Sequence, residues 1–456
     1  MKLWMDVMRD LELVFNDYER LFDAWEAGGV DGLVLGPMSF AAAKLLPGTG
    51  TRYVTGDTPP SATYDPDPAV YHRFGVEPPP APADPAPDKR RLLNKMLFAA
   101  KKRGWTVLIF QAGFGAGPGG SGPLIIDERS QAAMCARLLD TLAHYPMVDG
   151  AVMDGPEWGY EIADYFYNRR SYIFDELPQV LEPSCRALGY DYAALVEAKD
   201  RLFTRLHTLS PRQVRLWAGG GLLGSLALLG HDPNLVAWMN YRCDSLTLFF
   251  QQVHHAIVGE RSRALVGVGP RTAAFAPLCG YDFTRLAEFM DFLLPKHYFW
   301  HRGFDGLVGT VGRYVEVLTT WNKELSDADA LAVVQALFGL SLPGVHHRRD
   351  LEEALNPAFC DQVVAAETRC ALAAVDDPER IVPWVDAGRA PHDGDPLSAG
   401  FLRQMLIASQ NAGLKRCLYH HAGNLTAAEW AVLSELCSVS WQPLASSYQP
   451  ADQRVL

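Results

Sequence analysis

Eight short, almost continuously apolar runs recur along this chain, and longer stretches with helical periodicity separate them. The runs are Leu3–Met8, Asp31–Phe40, Thr106–Gly113, Val148–Asp154, Ala264–Pro270, Phe292–Trp300, Ile381–Gly388 and Arg416–Gly423. A strand that is apolar on both faces is buried on both faces, which is the pattern of a parallel sheet covered by helices. The intervening stretches fit those helices. In DLELVFNDYERLFDAWEAGG (10–29) apolar residues stand at 11, 14, 15, 18, 21, 22 and 25, and the pattern closes on glycine. Segments 88–105 and 128–146 repeat it. Eight β/α units predict an α/β protein, a TIM (β/α)8 barrel over residues 1–440 with 441–456 as a C-terminal tail. A doubly wound open sheet is the alternative, but no Gly-x-Gly-x-x-Gly turn follows a strand. The glycine-rich GFGAGPGGSG (113–122) leads into PLIIDE, not into a helix, and reads as an active-site loop.

Two long helical insertions are expected, 160–262 after the fourth strand and 305–378 after the sixth. Residues 47–87, after the second strand, hold 11 of the 31 prolines. Proline withholds its N–H from helix and sheet, so this is a Pro-rich loop. Its Tyr53, Tyr64, Tyr71 and Phe74 predict that it packs over the barrel mouth, or docks onto a partner subunit in a homo-oligomer. Lys and Arg number 41 against 53 Asp and Glu, a net charge of −12, which argues against nucleic acid or an anionic membrane as the main partner. Eight cysteines without a Cys-x-x-Cys pair predict reduced thiols. The start MKLWMDVMRDLELVF carries acids where a signal peptide needs an apolar core, and LWAGGGLLGSLALLG (216–230) is too short to span a membrane. A cytoplasmic protein is expected.

In such a barrel the active site is assembled where the strands end. There the chain carries Asp6, Gln111, Asp154, Glu157, Arg271, Lys296, Tyr298, Trp300, Asp386 and His420. The sharpest signal is VDGAVMDGPEWGYE (148–161). A carboxylate just past a buried strand and beside a tryptophan is partly desolvated, which lets it hold a proton near neutral pH. Trp158, Tyr298 and Trp300 offer faces for a sugar ring. Asp6, Gln111, Asp154, Arg271, Lys296 and His420 suit a ligand rich in vicinal hydroxyls, so the expected partner is a carbohydrate substrate. Asp393 and Asp395 are reserve carboxylates. Lys296, in an apolar strand among aromatics, carries two further readings: a Schiff-base lyase nucleophile, or a lysine paired to Asp154 or Glu157. A non-catalytic carbohydrate-binding barrel is another alternative. Of the pairs His254–His255, His346–His347 and His420–His421, none predicts a metal site, because adjacent side chains diverge on a helix or strand. No cofactor is expected.

The MDGPEW segment after the fourth run resembles the retaining glycoside hydrolases built on (β/α)8 barrels of the clan A type. FAPLCGYDFTRLAEFMDFLLPKHYFW (275–300) and PWVDAG (383–388) extend the likeness. It is greatest to poorly characterised bacterial hydrolase-like barrels and covers residues 3–430 at the level of pattern. The resemblance implies a glycosidase acting on small glycosides or oligosaccharides by paired-carboxylate catalysis. It assigns Glu157 as general acid/base and Asp386 to the nucleophile position. Pro156 stands where the family has an asparagine, and Asp386 where it has a glutamate. Carboxyl groups about 5–5.5 Å apart would imply retention, and about 6.5–9.5 Å inversion.

Overall fold

The computed structural model describes residues 1–8, 11–42, 62–112, 128–163, 172–175, 177–300, 306–340, 342–387 and 397–438. Each apolar run overlaps a strand: β1 (Lys2–Val7), β2 (Val30–Leu35), β3 (Thr106–Ala112), β4 (Gly150–Asp154), β5 (Leu265–Gly269), β6 (Phe292–Leu293), β7 (Trp384–Val385) and β8 (Arg416–Tyr419). They pair in the order β6-β5-β4-β3-β2-β1-β8-β7. Parallel bridges Leu293–Ile381 and Lys296–Trp384 join β6 to β7 and close the sheet into a (β/α)8 barrel. The run Phe292–Trp300 is not one strand as its length suggests. Pro295 has no N–H and cuts the ladder, although Lys296 N–H still donates to Pro270 O at 3.0 Å.

Side chains alternate across each strand. Trp4, Val34, Leu108, Phe110, Val152, Leu294, Tyr298, Val382, Trp384 and Leu418 fill the barrel interior. Their neighbours, such as Met5, Leu33, Ile109, Met153, Val268 and Tyr419, belong to the larger core between barrel and helices. The interior pairs bulky side chains with glycines. A Cβ on Gly32 would lie 2.4 Å from the Trp4 indole, and one on Gly269 would lie 3.1 Å from Trp384 Nε1. Bulky indoles opposite glycines suit a narrow barrel.

The outer layer includes α1 (Tyr18–Ala27), α2 (Pro87–Lys102) and α3 (Glu128–His144). Between β4 and β5 lie α4 (Tyr192–Leu206) and the long α5 (Pro233–Glu260), among shorter helices. Between β6 and β7 lie α6 (Leu307–Trp321), α7 (Asp327–Phe338) and α8 (Ala365–Leu372). Helices α9 (Ala399–Asn411) and α10 (Ala427–Cys437) flank β8. Side-chain caps set several starts. Asp232 accepts from Asn234 N–H at α5, and Ser326 with Asp329 forms a capping box at α7. Among the described residues no helix is long and apolar enough to cross a membrane.

The described part of the Pro-rich segment, residues 62–87, is anchored by its aromatic side chains, and residues 47–61 lie outside the described residues. Tyr64 hydrogen-bonds Thr141 at 2.6 Å and stacks on His144 with ring centroids 4.1 Å apart. Tyr71 packs with Ala136 and Leu139. These anchors hold the segment to α3, where Tyr71, with Val70, Val76 and Phe74, covers a patch of alanine and leucine. Tyr53, the loop 113–122, Asp393, Asp395 and the tail 441–456 lie outside the described residues.

Candidate active site

The alternation that fills the barrel also builds its mouth. Two positions beyond the last small or apolar inward residue, six strands carry a polar group. Trp4 leads to Asp6, Val152 to Asp154, Gly269 to Arg271, Leu294 to Lys296, Trp384 to Asp386, and Leu418 to His420. Five of them belong to the sequence-derived candidates for binding, and Asp386 was a catalytic candidate.

On the β4–β6 side the acids meet cations. The Arg271 guanidinium engages both carboxylate oxygens of Glu157, with Nε 2.9 Å from Oε1 and 2.8 Å from Oε2. The two side chains are 1% and 6% exposed, so the pair is held out of water. Burial works against the arginine's charge, but Glu157 outweighs it and raises the guanidinium well above its ordinary value. The guanidinium also lies 5.1 Å above the Tyr160 ring. Lys296 Nζ sits 2.8 Å from Asp154 Oδ1. Burial, and then Arg271, lower the lysine pKa, against Asp154 and Glu157. Of the two sequence readings of this lysine, the ion pair to Asp154 is present.

On the opposite side, His420 Nδ1 and Asp6 Oδ2 share a hydrogen bond. Asp6 is fully buried, and His420 and His421 nearly so. His420 lies edge-on to Trp384 at 4.9 Å and stacked with Tyr298 at 5.8 Å. Asp386, Ala387, Tyr419, His420 and Asn424 surround a gap too small to hold a water molecule. Tyr298 stands between the two sides. Burial first, then Asp386, Asp154 and Asp6, raise its phenol well above the ordinary value, with Arg271 opposing. Carboxylates from β1, β4 and β7 thus act on one buried hydroxyl, which remains a proton donor at neutral pH.

Three candidates lie elsewhere. Gln111 registers with Met153, whose side chain belongs to the outer core, while the inward neighbour is Phe110. Gln111 therefore stands on the helix-facing side of β3. Trp158 is buried, and its indole N–H donates to Arg242 O and Ser245 Oγ of α5, both at 3.1 Å. It fastens the loop after β4 to the inserted helices. Trp300 is 5% exposed in the outer core.

His421 is the residue that the sequence reading passed over. Its φ of 65° lies in the left-handed region. That turn brings its ring to 3.4 Å from the His420 ring, centroid to centroid, instead of letting the two diverge. His254 and His255, on the regular helix α5, have centroids 6.0 Å apart. Nothing in the letters His-His marks which pair will take the unusual backbone.

Glu161 is a second such residue. It is fully buried, paired with Arg313 of α6, and Tyr314 of the same helix hydrogen-bonds Tyr160 O. These contacts brace the β4 loop that carries Glu157.

No protein-family model and no curated protein matches the chain. Solved structures do. A GH18 chitinase from Pseudoalteromonas aurantia aligns at 10% identity, over 96% of this chain and 100% of its own, with a TM-score of 0.42. A GH5_18 structure from Streptomyces cattleya in complex with GlcNAc aligns at 11% identity, over 95% and 79%, with a TM-score of 0.41. A β-galactosidase from the haloarchaeon Halorubrum lacusprofundi aligns at 11% identity, over 96% of this chain and 57% of its own, with a TM-score of 0.46.

Proposed function

We propose that this barrel is a glycoside hydrolase acting on small glycosides or oligosaccharides at its mouth. The observation that carries the reading is that β1, β4 and β7 each lead into an inward carboxylate at one barrel mouth, Asp6, Asp154 and Asp386. Glycoside hydrolysis needs two carboxyl groups on either side of the scissile bond. One passes a proton to the leaving oxygen, and the other attacks the anomeric carbon or activates water. Asp386 is the carboxylate of the β7 side. On the β4 side both Asp154 and Glu157 are present. Glu157 has both oxygens engaged by Arg271, whereas Asp154 faces inward and is 19% exposed. We assign the β4 role to Asp154, with Lys296 as its proton-bearing partner. Glu157 then holds Arg271 beside that lysine. Arg271, Tyr298 and His420 supply hydrogen bonds to sugar hydroxyls.

Turnover of a panel of nitrophenyl glycosides and short oligosaccharides by the purified protein tests the reading. Asp386→Asn and Asp154→Asn are each expected to remove most of that turnover. Failure of the wild type on every glycoside, or unchanged rates in both variants, would overturn it. Lys296 supports a second reading, a Schiff-base lyase, because burial lowers its pKa. Reductive trapping with carbonyl compounds separates the two.

A further inference from the structure

We propose that Asp6, His420 and His421 form a binding site for one divalent transition-metal ion at the junction of β8 with β1. One ligating atom from each of the three residues lies within 4.8 Å of the others, and all three side chains are buried. They come from opposite ends of the chain, 414 residues apart for Asp6 and His420. The parallel β1–β8 ladder, with Met5 in register with Tyr419, sets them side by side.

The backbone supports the assignment. An extended strand would send His421 to the face opposite His420. Its left-handed φ of 65° puts both rings on the Asp6 side. A non-glycine residue in that region is strained and persists where the surroundings hold it. Asp6 Oδ2 lies 4.0 Å from His421 Nδ1 and shares a hydrogen bond with His420 Nδ1. All three donors therefore lie close enough together for one ion to reach them.

The donor set selects the ion. Two imidazoles and one carboxylate suit Zn2+, Co2+, Fe2+ or Mn2+, whereas Mg2+ and Ca2+ prefer oxygen alone. On binding, the proton in the His420–Asp6 hydrogen bond is given up, to His420 Nε2 when the ring is neutral or to solvent when the ring or the carboxyl carries an extra proton, so that a neutral imidazole nitrogen and a carboxylate oxygen turn lone pairs to the ion. Three protein ligands leave a coordination position for a small ligand. Metal binding at this site is measured directly and is independent of glycoside turnover.

The test uses full-length protein stripped with a chelator and then titrated with Zn2+ and with Co2+. Calorimetry and elemental analysis are expected to give one equivalent of Zn2+ per chain. The Co2+ form is expected to show visible d–d bands without a thiolate charge-transfer band, which separates this site from the eight cysteines. His421→Gln and Asp6→Asn are each expected to weaken Zn2+ binding by about tenfold or more. If Asp6→Asn does not fold, the wild-type stoichiometry and His421→Gln decide. No retained Zn2+, a thiolate band, or His421→Gln binding as tightly as the wild type would overturn the proposal.

Discussion

The two sides of the barrel mouth each present two carboxylates, but they answer them differently. On the β4–β6 side Glu157 meets Arg271 and Asp154 meets Lys296. On the β7–β8–β1 side Asp6 and Asp386 stand beside the imidazoles of His420 and His421. A guanidinium keeps its charge at any ordinary pH and fixes the carboxylate it holds. An imidazole can gain a proton, lose one or bind an ion. One side is thus built for fixed geometry and the other for exchange. The same contrast explains why Glu157, the most conspicuous acid of the sequence, lies in the more rigid half.

The contrast can be broken most sharply by turnover. On a glycoside that the wild type cleaves, Asp386→Asn is expected to lower kcat/KM by roughly 10²–10⁴ fold, whereas a purely structural Asp386 would leave it nearly unchanged. Stability separates the two sides next. Glu157→Gln leaves the guanidinium of Arg271, 1% exposed, without its counter-charge. A loss of about 3–5 kcal/mol in urea denaturation is expected, with most of it recovered by adding Arg271→Met. Asp6→Asn keeps a hydrogen-bond acceptor for His420, so about 1–3 kcal/mol is expected there. Equal losses at the two sites would remove the distinction.

Much of this mouth was legible before the structure. Asp6, Asp154, Lys296, Asp386 and His420 each close an apolar run at a position that alternation turns inward. Gln111 closes such a run too, yet lies one position out of phase. In TVLIFQAG every residue near it is apolar, so the pattern does not say which face is which. The partner of Glu157 was hidden for another reason, since Arg271 lies 114 residues away.

A smaller effect tests how the rigid side is supported. Glu367 of α8 is buried and accepts a hydrogen bond from Ala274 N–H, in the loop that follows Arg271. Burial raises its carboxyl pKa from 4.5 to about 7, against the backbone hydrogen bonds. The folded state therefore binds this proton more tightly than the unfolded chain. The associated stability is fully present below pH 4.5 and lost as pH rises through 7. Glu367→Gln should remove a pH dependence of up to about 3 kcal/mol across that window, read from urea midpoints at pH 4.5 and pH 8. A variant with the wild-type profile would place the titration elsewhere.

The least conspicuous outcome concerns Lys296. Its ion pair with Asp154 occupies the ammonium, so borohydride with aldehyde or ketone compounds is expected to leave the residue unmodified by mass spectrometry. A stable adduct would turn the rigid side into the reactive one and favour the lyase.

Local properties of the chain determined the barrel and its polar mouth. Buried strands demand apolar runs, and a run must end where its last inward side chain meets open space. These are consequences of neighbours in sequence and needed no partner. The pairing of Glu157 with Arg271, the turning of Trp158 onto α5, the docking of Tyr64 on α3 and the convergence of Asp6, His420 and His421 were decided by tertiary structure alone. Each joins groups that are distant along the chain, or rests on a backbone angle that the residue types do not dictate. Coulomb attraction and burial act on distance in space, and only the closed barrel sets those distances.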